Sequence, residues 1–184
     1  MKLIILDRDG VINHDSNAFI KSPAEWIPIP GSLEAIARLT NAGYHVVVAT
    51  NQSGIGRGLL DIETLNRIHE KMHRLVAEAG GFIEAVFFCT DSDDTSYYRK
   101  PNPGMLEDIG RRLKISLPGV PVVGDSLRDL QAAWAVGATP ILVRTGKGEL
   151  TLAKIPPLAE DVLVFDDLAA AADFILTQPD PVLP

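Results

Sequence analysis

The alternation of short apolar runs with segments of helical periodicity is the feature of this sequence that most restricts its fold. The runs are rich in Val and Ile and are mostly apolar on both faces, as is typical of parallel strands covered by helices. Six runs are predicted as strands: Leu3–Leu6, His45–Thr50, Ala85–Cys89, Pro121–Gly124, Pro140–Val143 and Val162–Phe165. The pattern therefore predicts an α/β fold, a doubly wound, Rossmann-like parallel sheet with helices on both faces.

Helix start and stop signals place five helices between and after these strands. Asp61 is a predicted N-cap, and glycines such as Gly43 and Gly137 mark helix ends. The predicted helices cover about Leu33–Ala42, Ile62–Ala79, 103–113, Leu127–Val136 and Leu168–Leu176. Residues 144–160 are predicted to form a long surface excursion, and residues 179–184 a frayed tail.

Length and spacing predict one domain over residues 1–184, because the chain has no internal repeat and no dividing linker. The interval from Asp7 to Thr50 is filled by a loop, one helix and one strand. The interval from Thr50 to Lys100 is filled by a helix, a strand and a short loop. Neither interval has room for a separate cap domain, so substrate specificity is expected to come from loops.

Composition narrows the function classes. The net charge of -7 disfavours nucleic acid as a partner, and no apolar run reaches the roughly 18 residues of a membrane span. The single cysteine, Cys89, excludes an intramolecular disulfide and fits a reducing compartment. We therefore expect a soluble, cytoplasmic protein, and a monomer because no apolar stripe is left over.

Four polar clusters each follow one of the predicted strands. They are Asp7-Arg8-Asp9-Gly10, Thr50-Asn51-Gln52-Ser53-Gly54, Arg99-Lys100-Pro101 and Gly124-Asp125-Ser126. Each cluster alone is a weak signal, because such residues also form turns and cap helices. In a doubly wound sheet the carboxyl ends of the strands form one edge, where ligands bind. The clusters together therefore predict a single site.

The acidic residues of these clusters suit phosphoryl transfer. A carboxylate that attacks a phosphate needs the negative charge neutralised, and Mg²⁺ held by oxygen ligands does this. Asp7 and Asp125 offer carboxylates as ligands, and Asp9 offers its backbone carbonyl. Asp7 is the predicted nucleophile, which forms an aspartyl-phosphate. Asp9 is the predicted general acid and base, with its side chain off the metal.

The remaining candidates bind the phosphate or the rest of the substrate. Thr50 and Asn51, with the neighbouring Gln52 and Ser53, lie where a hydroxyl and backbone N–H groups can surround phosphate oxygens. Lys100 can neutralise the charge that remains.

The four motifs resemble those of the haloacid dehalogenase superfamily of phosphatases, over about residues 2–145. The strings at 7–13, 50–58, 99–105 and 143–146 look like its D-glycero-D-manno-heptose-1,7-bisphosphate 7-phosphatase branch. The resemblance implies that Asp7 is the nucleophile, Asp9 the general acid and base, and Mg²⁺ the cofactor. It also implies phosphate contacts from Thr50 and Lys100. Substrate contacts are implied for Arg99 and for the loop holding Asp15 and Asn17.

The resemblance implies a small phosphorylated sugar as substrate, with the C7 phosphate of heptose 1,7-bisphosphate as the leading choice. Histidinol phosphate or another small sugar phosphate is the alternative, because histidinol-phosphate phosphatases share these strings. A nucleic-acid 3′-phosphatase is disfavoured by the net charge. The alternative of another function class is a receiver-like signalling domain. Asp9 disfavours it, because a domain that acts as a slow phosphorylation switch needs no general acid two residues after the phosphorylated aspartate.

The chain departs from this branch at the segment where relatives often hold a structural zinc through Cys-x-His and Cys-x-Cys. Here the first pair reads Cys89-Thr90-Asp91, and tyrosines 97 and 98 precede Arg99. One thiol cannot complete a four-ligand zinc site. We therefore expect no zinc, a buried Cys89, and a loop Thr90–Tyr98 held by turn hydrogen bonds and tyrosine packing.

Three further residues receive structural interpretations. His69 and His73 lie one turn apart on a predicted helix but have no third metal ligand nearby, so a solvated or partly buried face is expected. Trp134 is predicted to belong to a helix core.

Overall fold

Six parallel strands form the centre of the computed structural model, which describes residues 1–155 and 162–178. The strands are β1 Lys2–Leu6, β2 Tyr44–Asn51, β3 Ala85–Cys89, β4 Pro121–Gly124, β5 Thr139–Val143 and β6 Leu163–Phe165. Their order in the sheet is β3-β2-β1-β4-β5-β6. The chain starts near the centre, winds to one edge and then winds to the other. The predicted doubly wound sheet is confirmed, and every predicted strand end lies within one residue of the observed one.

Seven helices connect and follow the described strands. They are α1 Ser32–Asn41, α2 Ser53–Gly56, α3 Ile62–Glu78, α4 Gly104–Leu113, α5 Leu127–Ala135, α6 Gly148–Leu152 and α7 Leu168–Thr177. A 3₁₀ turn at Pro23–Glu25 lies in the loop after β1. The five predicted helices are confirmed. Asp61 caps α3 as predicted, since its carboxylate accepts a hydrogen bond from the Thr64 N–H.

The two short helices, α2 and α6, were not predicted because neither is long enough to carry a hydrophobic period. Helix α6 corrects the prediction of a surface excursion over 144–160: Gly148–Leu152 is helical and Thr151 within it is buried. The end of that predicted excursion, from residue 156, and the predicted frayed tail at 179–184 lie outside the described residues.

Side chains alternate along each strand between two apolar layers. In β1, Ile4 and Leu6 pack in one core with residues of α1, α3 and α7, and Leu3 and Ile5 pack in another with residues of α4 and α5. Both faces of the sheet are therefore buried, as parallel strands require. The expectation for Trp134 was wrong: it is 40% exposed, because Leu130, Ala132 and Ala133 form the buried stripe of α5.

The sheet order places the ends of β1 and β4 side by side, although most of the chain separates them in sequence. The chain winds away from this pair in opposite directions, so the ends of β1 and β4 form a topological switch point. Asp7 and Asp125 are the residues that follow these two strands. Within residues 1–155 and 162–178, no helix is both long and apolar enough to cross a membrane.

Candidate active site

A cavity of about 690 Å³ opens at this end of the sheet. It is lined by nearly all of the predicted site residues: Asp7, Asp9, Asp15, Asn17, Asn51, Gln52, Ser53, Arg99, Lys100 and Asp125. Thr50 is the exception. It is 1% exposed and does not line the cavity, and its hydroxyl accepts a hydrogen bond of 2.9 Å from the Gln52 side chain. The structure thus brings the four clusters together, with Thr50 buried beside the cavity and hydrogen-bonded to Gln52.

Three carboxylates meet at the bottom of the cavity. Oxygen atoms of Asp7, Asp125 and Asp129 all lie within 4.8 Å of one another. Burial, followed by repulsion between these carboxylates, raises the pKa of Asp7 and of Asp125 above the ordinary range. Negative charge concentrated in this way fits a hard divalent cation, which would stabilise the ionised forms.

Lys100 is the cation within this cluster, and only 3% of the residue is exposed. Its ammonium lies 2.6 Å from Asp129 and 3.1 Å from Asp7, and it donates to the carbonyl oxygen of Ala49 at 2.7 Å. Although burial lowers the pKa of Lys100, the two carboxylates outweigh burial and raise the pKa above its ordinary value. Lys100 is therefore a fixed positive charge beside Asp7.

Sequence reasoning did not include Asp129 among the site residues. One of its oxygens contacts Lys100, and the other accepts hydrogen bonds from the backbone N–H and the hydroxyl of Ser126. The sequence does point to Asp129, because this residue completes the Gly-Asp-x-x-x-Asp pattern at 124–129. Asp129 caps α5 and orients the lysine at the same time.

Asp9 lies in a separate hydrogen-bond network. Its carboxylate accepts hydrogen bonds from Asn13 and Gln52, both at 2.9 Å, and from two nitrogens of Arg8 at 3.0 and 3.2 Å. Burial raises the pKa of Asp9, but the Arg8 charge and the hydrogen bonds outweigh burial and lower it. The Asp9 side chain thus has hydrogen-bond partners that differ from those of Asp7, Asp125 and Asp129.

The segment after β5 packs directly on Asp125, which sequence reasoning missed. The Asp125 carboxylate accepts the Lys147 N–H at 2.8 Å, and its carbonyl oxygen accepts the Thr151 hydroxyl at 2.8 Å. Gly10 and Gly146 approach so closely that a Cβ added to them would lie 2.0 and 2.2 Å from that carboxylate. Both glycines also have positive φ angles, so any other residue would be strained there.

The mouth of the cavity carries paired charges. Lys147 lies 3.3 Å from Asp15, and Asp94 contacts Arg99 at 3.0 Å and Arg128 at 2.9 Å. Hydrogen bonds from Arg128 and Arg99 hold the pKa of Asp94 far below its ordinary value. The Lys147–Asp15 pair joins the segment after β5 to the loop after β1, and the Arg128–Asp94 pair joins α5 to the loop after β3.

The predicted internal support of the loop after β3 is confirmed. Thr95 N–H donates to Asp93, the Ser96 hydroxyl donates to Asp91, and Tyr98 donates to Asp108 on α4. Cys89, at the end of β3, is buried as predicted. The absence of zinc stays a prediction.

Two family models match the chain. The HAD-hydrolase-like model matches residues 97–171, and the polynucleotide kinase 3 phosphatase model matches residues 2–126. The D-glycero-beta-D-manno-heptose-1,7-bisphosphate 7-phosphatase of Bordetella bronchiseptica is 59% identical over 97% of this chain and 99% of its own. The enzyme of the same name from Pseudomonas putida is 56% identical over 94% of this chain and 98% of its own.

This chain belongs to the haloacid dehalogenase superfamily, in its heptose-bisphosphate phosphatase family. The crystal structure of the Bordetella bronchiseptica D,D-heptose 1,7-bisphosphate phosphatase complexed with magnesium and phosphate has a TM-score of 0.94 at 59% identity. It matches 97% of this chain and 100% of its own. Like its relatives, this superfamily member is a phosphomonoester hydrolase, which confirms the predicted reaction and sets aside the receiver-like alternative.

Proposed function

We propose that this phosphatase removes the C7 phosphate of D-glycero-D-manno-heptose 1,7-bisphosphate in a Mg²⁺-dependent reaction. The observation that carries the proposal is the arrangement at the bottom of the cavity. A buried carboxylate, Asp7, lies beside the fixed charge of Lys100, while Asp9 is held separately two residues along. High identity over nearly the full length of the relatives supports the choice of sugar.

The residues present fit the metal that the superfamily uses. The carboxylates of Asp7 and Asp125 and the backbone carbonyl of Asp9 would hold Mg²⁺, because a hard cation prefers oxygen ligands. When bound, the ion supplies positive charge that offsets the charge of the phosphate. Asp129 is committed to Lys100 and Ser126 by its own hydrogen bonds, so we leave it out of this ligand set.

The positions of Asp7 and Asp9 support the following course of the reaction. A carboxylate oxygen of Asp7 attacks phosphorus as the bond to the sugar oxygen breaks, which gives an aspartyl-phosphate. Asp9 gives a proton to the leaving alkoxide. Because its pKa is lowered in the free protein, we infer that the negative charge of the bound phosphate raises that pKa and lets Asp9 take up the proton in the complex. The Asp9 carboxylate then takes a proton from water, which attacks the aspartyl-phosphate and releases inorganic phosphate with Asp7 restored.

Other residues bind and orient the substrate. Lys100 faces the attacking carboxylate and offsets charge on the transferring group. Asn51 fixes the lysine backbone, because its side chain both donates to the Lys100 carbonyl at 2.9 Å and accepts the Lys100 N–H at 3.1 Å. We assign Ser53 to the phosphate, and Asp15, Asn17 and Arg99 at the mouth to the sugar.

A phosphate-release assay tests the substrate. Purified protein with Mg²⁺ is given heptose 1,7-bisphosphate, histidinol phosphate and a 3′-phosphorylated oligonucleotide. We expect one phosphate released per heptose bisphosphate, with the C1 phosphate retained, and much slower turnover of the other two. Faster hydrolysis of histidinol phosphate would refute the heptose assignment, and faster hydrolysis of the oligonucleotide would favour the activity named by the second family model.

Metal dependence and stoichiometry are tested on the same preparation. A chelator should abolish turnover, because Asp7 and Asp125 then lack their counter-charge. Added Mg²⁺ should restore it.

Elemental analysis should find no zinc. Zinc bound at one ion per chain would contradict the loop interpretation. Size-exclusion chromatography tests the predicted monomer.

A further inference from the structure

The side chain between the two aspartates of the first motif is buried beneath the active site. Arg8 has no exposed surface. Its Nε and Nη2 atoms face the Asp9 carboxylate, and Nη2 also donates to the Gln52 side-chain oxygen at 3.2 Å. The third nitrogen, Nη1, lies 3.0 Å from the Nε2 atom of His69. One guanidinium thus connects the general acid to a histidine of α3.

The chemistry of the two partners fixes the direction of the Arg8–His69 hydrogen bond. A guanidinium stays protonated and only donates, so the His69 Nε2 must be the acceptor and the ring proton must lie on Nδ1. His69 is 7% exposed and belongs to the buried stripe of α3. Burial, followed by the positive charge of Arg8, lowers the pKa of His69 to about 3. The imidazole is therefore a neutral acceptor.

His73 provides an internal comparison, because it lies one helical turn further along α3. It is exposed, whereas His69 faces Arg8 and packs against the Phe88 ring with centroids 6.1 Å apart. The pair expected to share a solvated or partly buried face is thus divided by the structure. His69 is the member connected to the catalytic machinery.

We propose that His69 is a positioning residue for the general acid: it fixes Arg8, and Arg8 fixes the Asp9 carboxylate. The proposal rests on the proposed role of Asp9 in proton transfer. Without an acceptor at His69, the Nη1 atom of a fully buried guanidinium would lose this partner, which is unfavourable. Arg8 would then shift toward other acceptors and carry the Asp9 carboxylate with it.

The dependence of rate on leaving group separates positioning of an acid from general structural support. An alkoxide leaving group, as in a sugar phosphate, needs a proton as the bond breaks. The phenolate of p-nitrophenyl phosphate leaves without one. A variant that misplaces Asp9 should therefore lose more activity toward the sugar phosphate than toward the aryl phosphate.

The experiment compares His69→Leu, His69→Gln and His73→Leu with the unmodified protein, all with Mg²⁺. For His69→Leu we expect kcat on heptose 1,7-bisphosphate to fall roughly 10- to 100-fold, the scale of a misplaced acid. KM should stay within about twofold, since ground-state binding is unchanged. On p-nitrophenyl phosphate the fall should be at most about threefold, because little proton transfer is lost.

His69→Gln is the conservative variant, and His73→Leu is the control. Gln places an oxygen acceptor near the position of Nε2, so His69→Gln should recover most of the lost kcat. His73→Leu should behave as the unmodified protein. Equal losses on both substrates, or a His69→Gln as impaired as His69→Leu, would overturn the positioning role.

Two outcomes separate failure of this inference from failure of the proposed function. If the unmodified protein hydrolyses p-nitrophenyl phosphate but not the heptose bisphosphate, the sugar assignment fails, and the comparison is run with whichever alkyl phosphate is turned over. If Asp9→Asn leaves kcat on the alkyl phosphate unchanged, the acid assignment fails and the role of His69 fails with it. Should His69→Leu not fold, His69→Phe takes its place, because it also lacks an acceptor and keeps a ring of similar shape. A loss selective for the alkyl phosphate supports the inference, and equal losses on both substrates overturn it.

Discussion

Charged residues at the bottom and at the mouth of the same cavity have different surroundings. The bottom comprises Asp7, Asp9, Lys100, Asp125 and Asp129, and the mouth comprises Asp15, Asp94, Arg99, Arg128 and Lys147. At the bottom, the side chains of the Lys100–Asp129 pair are 4% and 2% exposed. At the mouth, those of the Arg128–Asp94 pair are 41% and 62% exposed.

This difference in exposure indicates that the two regions have different functions. Breaking a buried ion pair leaves an uncompensated charge, which costs about 3–5 kcal/mol, whereas an exposed pair contributes about 0–1 kcal/mol. The bottom is therefore fixed in geometry and suited to chemistry. The Arg128–Asp94 pair at the mouth can be rearranged at low cost, which suits recognition of a substrate.

The largest effect is expected from removing the nucleophile at the bottom. Asp7→Asn keeps the shape of the side chain but not its nucleophilic oxygen, so turnover should fall on the order of 10⁴-fold or more. Substrate binding, measured by calorimetry, should persist. Ordinary turnover in this variant would refute the assignment of Asp7.

The second largest effect is expected from removing Lys100, the buried cation at the bottom of the cavity. Lys100→Met leaves Asp7 and Asp129 without their shared counter-charge, so the free energy of unfolding should fall by about 3–5 kcal/mol. Urea unfolding with the metal removed measures the change. The matched control is Lys147→Met at the mouth, where the loss should be clearly smaller. Equal losses in the two variants would remove the distinction between the regions.

Protonation of the buried His69 ring, beneath the bottom of the cavity, gives an effect that is small near neutral pH and grows as the pH falls. Because the folded pKa of His69 is about 3 and the ordinary value is 6.5, the unfolded chain takes up the proton first as pH falls. This contribution to stability is fully present above pH 6.5 and is lost as pH falls toward 3, by at most about 1.4 kcal/mol per pH unit. Unfolding of His69→Gln should lack this component, and a pH profile unchanged by the substitution would contradict it.

The smallest effect is expected at the mouth. Asp94→Asn removes the charge that holds Arg99 and Arg128, so KM for the sugar substrate should rise a few-fold while kcat stays within about twofold. Stability should change less than in Lys100→Met. A large fall in kcat with unchanged KM would place Asp94 with the chemistry instead.

The parts predicted from sequence are those that short-range patterns determine. Strand β1, which ends just before Asp7, and the cap at Asp61 follow from apolar runs and turn chemistry. The support of Asp125 by the segment after β5 and the contact of Arg8 with His69 did not follow. These contacts join residues distant in sequence, and no local pattern specifies which buried groups will meet.

Trp134 illustrates the same limit at the level of a single side chain. It lies in a correctly predicted helix, yet the direction of its side chain depends on its tertiary neighbours, and smaller residues fill the buried face of α5.

The close approach of Gly10 and Gly146 to Asp125 has a consequence for how the molecule folds. Three segments from distant parts of the chain must meet before Asp125 reaches its native position, and closing such long loops is entropically costly. Helices such as α3 can form from local contacts well before that. Recovery of activity after dilution from denaturant therefore reports that β1, β4 and β5 have come together, so turnover itself is a kinetic probe of this long-range step of folding.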